Sequence, residues 1–412
     1  MIGIVSIKYV LRSLLRNPRR TFLSVLGVGI GCAIGQMAAS WMRGAAEMQI
    51  RAASESGAGH VRVVPAQWLE TRENSLRLVN SEKILQEVKT LQGLKSFVQR
   101  ARTTALLAFG TRIAGVEMVG VEPEAEQVSN RIVRKGKIEG RYLHPGDSGN
   151  VVIGKGVAKR LDVELHDDLL VTLSGRNEMR SDMLSIIGII ETGSRDLDAA
   201  ICHVTLQDVG RLTDYEGPGE IAIMLEGHKL IEPTCRTLAE RLADRNTAIV
   251  TWKEVSPELA ANVEGDTAFT NTIIAIVILM VVFGIASAHL TAVLERRHEF
   301  AVLSALGMKG GRIAGLIFLE AVVIGLGGAV LALLIASPVT YYLATEGVNI
   351  ANLAGGDLSF GDVLLDPYIY GDFGIWLVWY ALGVSVMATW IASIYPAVFA
   401  MRTNPADELR RV

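Results

Sequence analysis

The sequence predicts a membrane α+β protein: four transmembrane helices with a large mixed α/β extracytoplasmic domain inserted between the first and the second. Three observations carry that expectation. Half of the 412 residues are hydrophobic and mean hydropathy is +0.34, too apolar for an ordinary soluble protein and too polar for one built of membrane helices alone. Four stretches, 21–42, 270–294, 313–342 and 373–398, are apolar and long enough to cross a bilayer, which takes about 20 residues. Basic residues gather in some of the connecting segments and are missing from others.

In segment 1–20, Ile4, Tyr9, Leu11 and Leu15 lie among basic residues. That pattern suits a helix lying in the membrane interface and ended by Pro18; an unstructured basic tail is the alternative. Stretch 21–42 has the basic flank and small residues of a signal peptide, but its apolar run exceeds the roughly 7–15 residues usual there. Gly27, Gly31 and Gly35 line one face, which suits close helix packing, so a retained first span is expected.

The insert 43–269 is long enough for one sizeable domain or two small ones. Strands are expected at 61–65, through 104–121, at 169–173, 185–190 and 248–252. Helical spacing appears at 81–91, 157–161 and 233–243. Strands alternating with helices imply α+β layers. Cys202 and Cys235 lie in this insert and Cys32 in the first span. A Cys202–Cys235 pair is conceivable outside the cytoplasm, but two free thiols fit three cysteines better.

Stretches 270–294, 313–342 and 373–398 make the remaining spans, joined by a charged elbow, 295–312, and a loop, 343–372. Lys8, Arg12, Arg16, Arg19 and Arg20 precede span one, and Arg296, Arg297, Lys309 and Arg312 lie in the elbow. Arg402, Arg410 and Arg411 follow span four, in the tail 399–412. The loop has no Lys or Arg but carries Glu346, Asp357, Asp362, Asp366 and Asp372. The expected topology is therefore N-in and C-in, with the insert and this loop on the other side. With charges partitioned this way, the net −3 gives no reason to expect a nucleic-acid partner.

No Walker A pattern is present, so this chain offers no phosphate cradle. Leu173-Ser174-Gly175 reads as a turn. His60, His144, His166, His203, His228, His289 and His298 are scattered, with no H-E-x-x-H and no Cys/His cluster. No G-x-S-x-G elbow appears. The expectation is a chain that is not itself an enzyme, with no metal or cofactor of its own.

Within the elbow, 299–306 reads as a coupling helix. Phe300, Leu303 and Leu306 fall at i, i+3 and i+6 and are expected to share a face that fits a groove on a partner; an ordinary tight connection is the alternative. Glu320 lies roughly 12 Å beyond Arg312 along span three, at about 1.5 Å per residue. An intramembrane carboxylate should face protein and have a partner. Transmission of motion and static pairing are both open for it, whereas proton transport would need a relay of which only His289 is present.

The elbow reads Glu295, Arg296, Glu299, Phe300, Leu303, Ala305, Leu306, Gly307. This resembles the E-R-x-x-E-[IF]-x-x-L-x-A-[LI]-G pattern of FtsX/MacB-type ABC transporter permeases. The run from Tyr395-Pro396-Ala397 to Pro405, Leu409 and Arg410 looks like the same family's ending. In the insert, Gly120-Val121-Glu122-Pro123 and the run from Val151 to Leu161 resemble Lol-type lipoprotein-release permeases. Asp167-Asp168 stands where those have a Gly-Asp turn, and the hairpin 174–182 is shorter than in carrier-binding relatives.

The resemblance implies a permease subunit that binds no nucleotide. ATP and Mg would be held by a separate ABC ATPase dimer, and a second permease protomer, identical or paralogous, would complete the complex. It further implies an inner-membrane location and lipoprotein or other lipophilic cargo, with a periplasmic carrier or adaptor as a further partner. Glu299, Phe300, Leu303, Leu306 and Gly307 would couple to the ATPase, and Glu320 would transmit motion. Met37 and Trp41 with Ile274 and Ile278 are expected at a lateral gate for lipid-anchored cargo, the alternative being that they face lipid or their own neighbours. Other implied roles are a MacB-like energy transducer for adaptor-dependent efflux and an FtsX-like non-transporting regulator of a cell-wall hydrolase.

Overall fold

A computed structural model describes residues 4–71, 73, 75–242, 246–350, 359–360 and 363–401. Asp357, Asp362 and the C-terminal motif beyond Met401 lie outside the described residues. The chain forms two compact units, one drawn from 1–45, 265–348 and 369–412, the other from 46–264 and 349–368.

The first unit is helical. A short helix, Ile4–Arg16, ends before Pro18, and Pro18 opens the next helix at a position where its missing N–H costs nothing. The long helices are Pro18–Ala53, Pro257–Glu295 and Gly310–Thr345. The fourth runs as Trp376–Ala392 followed by Ile394–Met401. All four are long and apolar enough to cross a membrane. The break at Ser393 comes three residues before Pro396, whose ring cannot accept a regular turn against the carbonyl four positions back. Close packing relies on missing side chains: a Cβ on Gly31 would fall 2.1 Å from Val281, and one on Gly328 would fall 2.4 Å from Val28. The core of the bundle includes Val28, Cys32, Ala33, Ile285, Ile324, Ala332 and Ala336.

The second unit is built on a sheet of ten strands. They are β1 (Val61–Pro65), β2 (Leu94–Phe109), β3 (Arg112–Val121), β4 (Lys137–Gly140), β5 (Asn150–Gly154), β6 (Asp168–Ser174), β7 (Met179–Glu191), β8 (Cys202–Thr205), β9 (Glu220–Leu225) and β10 (Thr247–Thr251). The expected mixed α/β insert is therefore present, and each strand or helix foreseen in it has a counterpart.

Strand β2 belongs to two structures at once. Its first half pairs with β9, extending the antiparallel order β10–β1–β9–β2. Its second half pairs with β3 on one side and β6 on the other. Following the remaining pairs, β3–β8, β8–β5, β5–β7 and β7–β6, returns to β2. Six strands thus close into a ring, which leaves the ring no free edge except where β4 adds to β7. Alternate residues of the ring point inward, and Leu107, Met118, Ile153, Leu169, Leu184 and Ile186 fill it. The open half packs Val61, Val63, Ile221 and Ile223 against Ile84, Val88 and Leu238 of helices Ser81–Lys89 and Ile231–Arg241. Cys202 and Cys235 are free thiols, each packed in a different one of these cores.

Candidate functional site

The motif-bearing residues converge at the elbow of the helical unit. Helix Pro257–Glu295 ends, Arg296 leaves helical geometry, and a nine-residue helix, Arg297–Ala305, follows. Its C-terminus is a glycine cap. Met308 N–H donates to Leu303 O at 3.0 Å and Gly307 N–H to Ser304 O at 3.0 Å, the paired bonds of a Schellman motif. That turn places Gly307 at φ 89°, where a side chain is strained. The glycine that ends the sequence motif is there because the chain must turn back towards the third span.

Glu320 has the partners its position demands. Arg296 Nη1 lies 3.2 Å from one carboxylate oxygen and Arg20 Nη2 lies 3.9 Å from the other. Arg296 also bonds Glu299 at 3.1 Å and donates to the Tyr9 hydroxyl at 3.0 Å. Arg20 reaches Glu295 at 3.1 Å and Arg16 reaches Glu299 at 2.8 Å. Three arginines and three glutamates therefore balance in one network. It ties the N-terminal helix, the starts of spans one and three, the end of span two and the elbow helix. Glu320 and Arg296 are 13% and 12% exposed, so the central pair is shielded and the outer pairs are wet. Close by, His289 Nδ1 and Ser393 Oγ are 3.0 Å apart in the buried bundle.

The elbow helix does not present the face expected from sequence. Phe300 is 3% exposed, and with Leu303 it packs against Val293, Ile313, Ile317, Ala397 and Ala400 of its own chain. The Arg296 guanidinium sits 5.1 Å from the Phe300 ring centroid, a cation–π distance. Leu306 is 79% exposed and Val302 39% exposed. The exposed apolar face is therefore Val302 and Leu306, flanked by exposed His298 and Ala305. Spacing alone grouped Phe300 with Leu306, but the helix puts them on opposite sides. Arg20 was visible only as part of the basic flank, since a partner 300 residues away leaves no local signal.

The remaining candidates lie in the bundle. Gly31 meets Val281 of the second span, Gly35 lies near the Tyr380 hydroxyl, and Gly27 has open space. Met37 packs on the bundle core. Ile278 lines a small space with Gly31, Cys32, Gly35 and Tyr380. Trp41 and Ile274 are half-buried. Exposed apolar side chains run beside them: Ile30 and Ile34 on the first span, Ile273, Ile276, Met280 and Phe283 on the second.

Comparison with known proteins gives two family matches. Residues 21–234 match the MacB-like periplasmic core domain and residues 271–405 the FtsX-like permease C-terminal domain. Among characterised sequences, the chain is 22% identical to a lipoprotein-releasing system transmembrane protein LolC from Neisseria meningitidis, over 98% of both chains. It is 25% identical to LolE of the same system from Haemophilus influenzae, over 94% of this chain and 93% of that one. LolC from Xylella fastidiosa is 23% identical over 73% of this chain and 74% of its own. Among solved structures, the periplasmic region of MacB from Actinobacillus actinomycetemcomitans aligns with TM-score 0.36 and 11% identity, covering 49% of this chain and 94% of that one.

Proposed function

Because the chain belongs to the FtsX-like permeases that carry a MacB-like periplasmic core domain, we propose that it is the membrane subunit through which a separate ABC ATPase releases lipoproteins, or other lipid-anchored cargo, from the inner membrane. It is a multi-pass membrane permease subunit. End-to-end similarity to two proteins of a lipoprotein-releasing system supports the cargo class.

In this reading the amino and carboxyl ends and the elbow face the cytoplasm, as the basic segments favour. The partner ATPase binds ATP and Mg and grips the elbow by Val302 and Leu306. Phe300 anchors the elbow helix to the bundle, so force on the exposed face reaches the buried pair Arg296–Glu320 rather than merely bending the loop. The ionic network can shift because its outer members are solvated and exchange partners at small cost, while the shielded centre holds its register. A second permease protomer, identical or paralogous, covers the exposed stripe on spans one and two.

Cargo enters sideways past Met37, Trp41, Ile274 and Ile278, since acyl chains are poorly solvated in an aqueous channel. It then passes to a carrier or adaptor on the far side. The test is a photo-crosslinker at Met37 or Ile274 in cells. An acylated protein should be captured, and capture should fall when ATP hydrolysis proceeds. Crosslinks to phospholipid alone would reject the cargo assignment in favour of efflux or regulation.

A further inference from the structure

Within the α/β unit, the helix that begins at Pro18 and runs unbroken to Ala53 ends in one wide π-turn, Ser54–Ala58, closed by Gly59 N–H donating to Ser54 O at 3.0 Å. Gly57 sits at φ 130°, open to glycine and strained for other residues. The carbonyls at a helix C-terminus lack intrahelical donors and carry the negative end of the dipole. Here two buried arginines take them. Arg100 Nη1 donates to Gly57 O at 2.6 Å, Arg62 Nη2 to the same oxygen at 2.9 Å, and Arg62 Nε to Ala58 O at 3.1 Å.

Arg100 is 1% exposed and spans two structures. Its Nε and Nη2 each bond Glu126 at 2.9 Å, and Glu126 also accepts from Asn130 at 2.6 Å. Arg62 bonds Glu220 at 2.6 Å, and Arg102 bonds Glu220 at 3.3 Å and Glu117 at 2.6 Å. Burial alone would raise the carboxyls of Glu126 and Glu220, but the neighbouring guanidiniums hold both below the ordinary range. Three arginines and three glutamates cancel. The helix end is gripped elsewhere too: Glu55 bonds Arg134 at 2.7 Å, and Leu364 N–H donates to Ser56 Oγ at 3.0 Å.

A buried ionic cluster adds little net stability over an apolar packing of the same volume, so stability does not explain this one. What it does supply is direction: a guanidinium fork fixes two acceptors at once, which no apolar contact does. A cavity of about 270 Å³ also lies against Gly57, Arg62 and Arg100, while Ala52, Ala53 and Ala58 pack on Trp252, Leu259 and Val363, contacts that set no direction for the last carbonyls.

We propose that Arg100 is a positioning residue of the transport cycle, pinning the end of the first spanning helix to the sheet so that movement of the helix is delivered to the α/β unit. This rests on the chain being an ATP-driven permease. Without the pin, the wide turn absorbs the movement.

The test uses the full complex with its ATPase in proteoliposomes holding a purified triacylated lipoprotein. Arg100→Lys keeps a charge for Glu126 but loses the planar fork that holds Glu126 by two nitrogens and Gly57 O by a third. Gly57→Ala strains the same turn and removes no charge; its Cβ would fall 3.8 Å from Arg100 Nη1, an ordinary contact. In both, amides 54–59 should exchange hydrogen at least tenfold faster, with β2 and β3 within twofold of wild type. ATP turnover should stay within twofold while lipoprotein released per ATP falls at least fivefold. Arg102→Lys, which bonds no helix-end carbonyl, should leave release per ATP unchanged. Unchanged exchange at 54–59, or normal release per ATP despite faster exchange, overturns the proposal, as does a parallel loss of ATP turnover. A wild-type complex that releases no lipoprotein sinks only the cargo reading. The pin then stands if ATP alters exchange in β1 and β9 of wild type but not of the variants, and falls if the variants respond alike.

Discussion

At the scale of single residues, charge placement separates function from background. Glu320 is the clearest case, a carboxylate whose depth in span three demanded a partner and which has Arg296 and Arg20. Glu320→Gln keeps its shape and removes its charge. Cargo-stimulated ATP turnover is expected to fall several-fold while the complex still assembles; unchanged turnover would reduce Glu320 to a packing residue. A second expectation concerns pH. Burial pushes His60 and His203 from 6.5 down to about 4. Unfolded chains protonate these groups near 6.5 and the folded unit does not, so their stabilisation is full above pH 6.5 and is lost as pH falls towards 4. Thermal unfolding of the purified protein should shift downward between pH 7 and 5, and His203→Gln should flatten the shift. A midpoint independent of pH in the wild type would contradict this.

At the scale of elements, the sequence was most readable where the signal is local. The strands at Val61–Pro65 and Asp168–Ser174, the helix at Ser81–Lys89 and the four spans follow from periodicity and length. The strand ring was not readable, because β6 closes on β2 across some sixty residues with no pattern that names the partner. The elbow helix was readable as a helix but not as a surface, since nine residues can turn either apolar side inward. Its geometry gives opposite expectations for two leucine- and phenylalanine-bearing faces. Leu306→Glu or Val302→Glu should strip the ATPase from the purified permease and leave its thermal stability unchanged. Phe300→Ala should destabilise the helical unit by about 3–5 kcal/mol, as loss of a buried aromatic does. ATPase retention by Leu306→Glu with Val302→Glu would place the docking surface elsewhere.

At the scale of the whole molecule, the order of segments is a division of labour. One chain supplies the spans, an α/β unit between spans one and two, and an elbow, while in the proposed function the nucleotide chemistry belongs to another polypeptide. Topology is the first check: an engineered cysteine at Gly146 should react with an impermeant reagent in spheroplasts and one at Lys309 should not, and the reverse pattern would invert the assignment. The most direct measurement of the central claim is release itself. Proteoliposomes carrying the permease, its co-purified ATPase and a triacylated lipoprotein should lose lipoprotein to a soluble acceptor on addition of ATP and Mg, and Leu306→Glu should abolish that loss. Lipoprotein that stays in the membrane while the wild-type complex hydrolyses ATP, with an acceptor present, would contradict it.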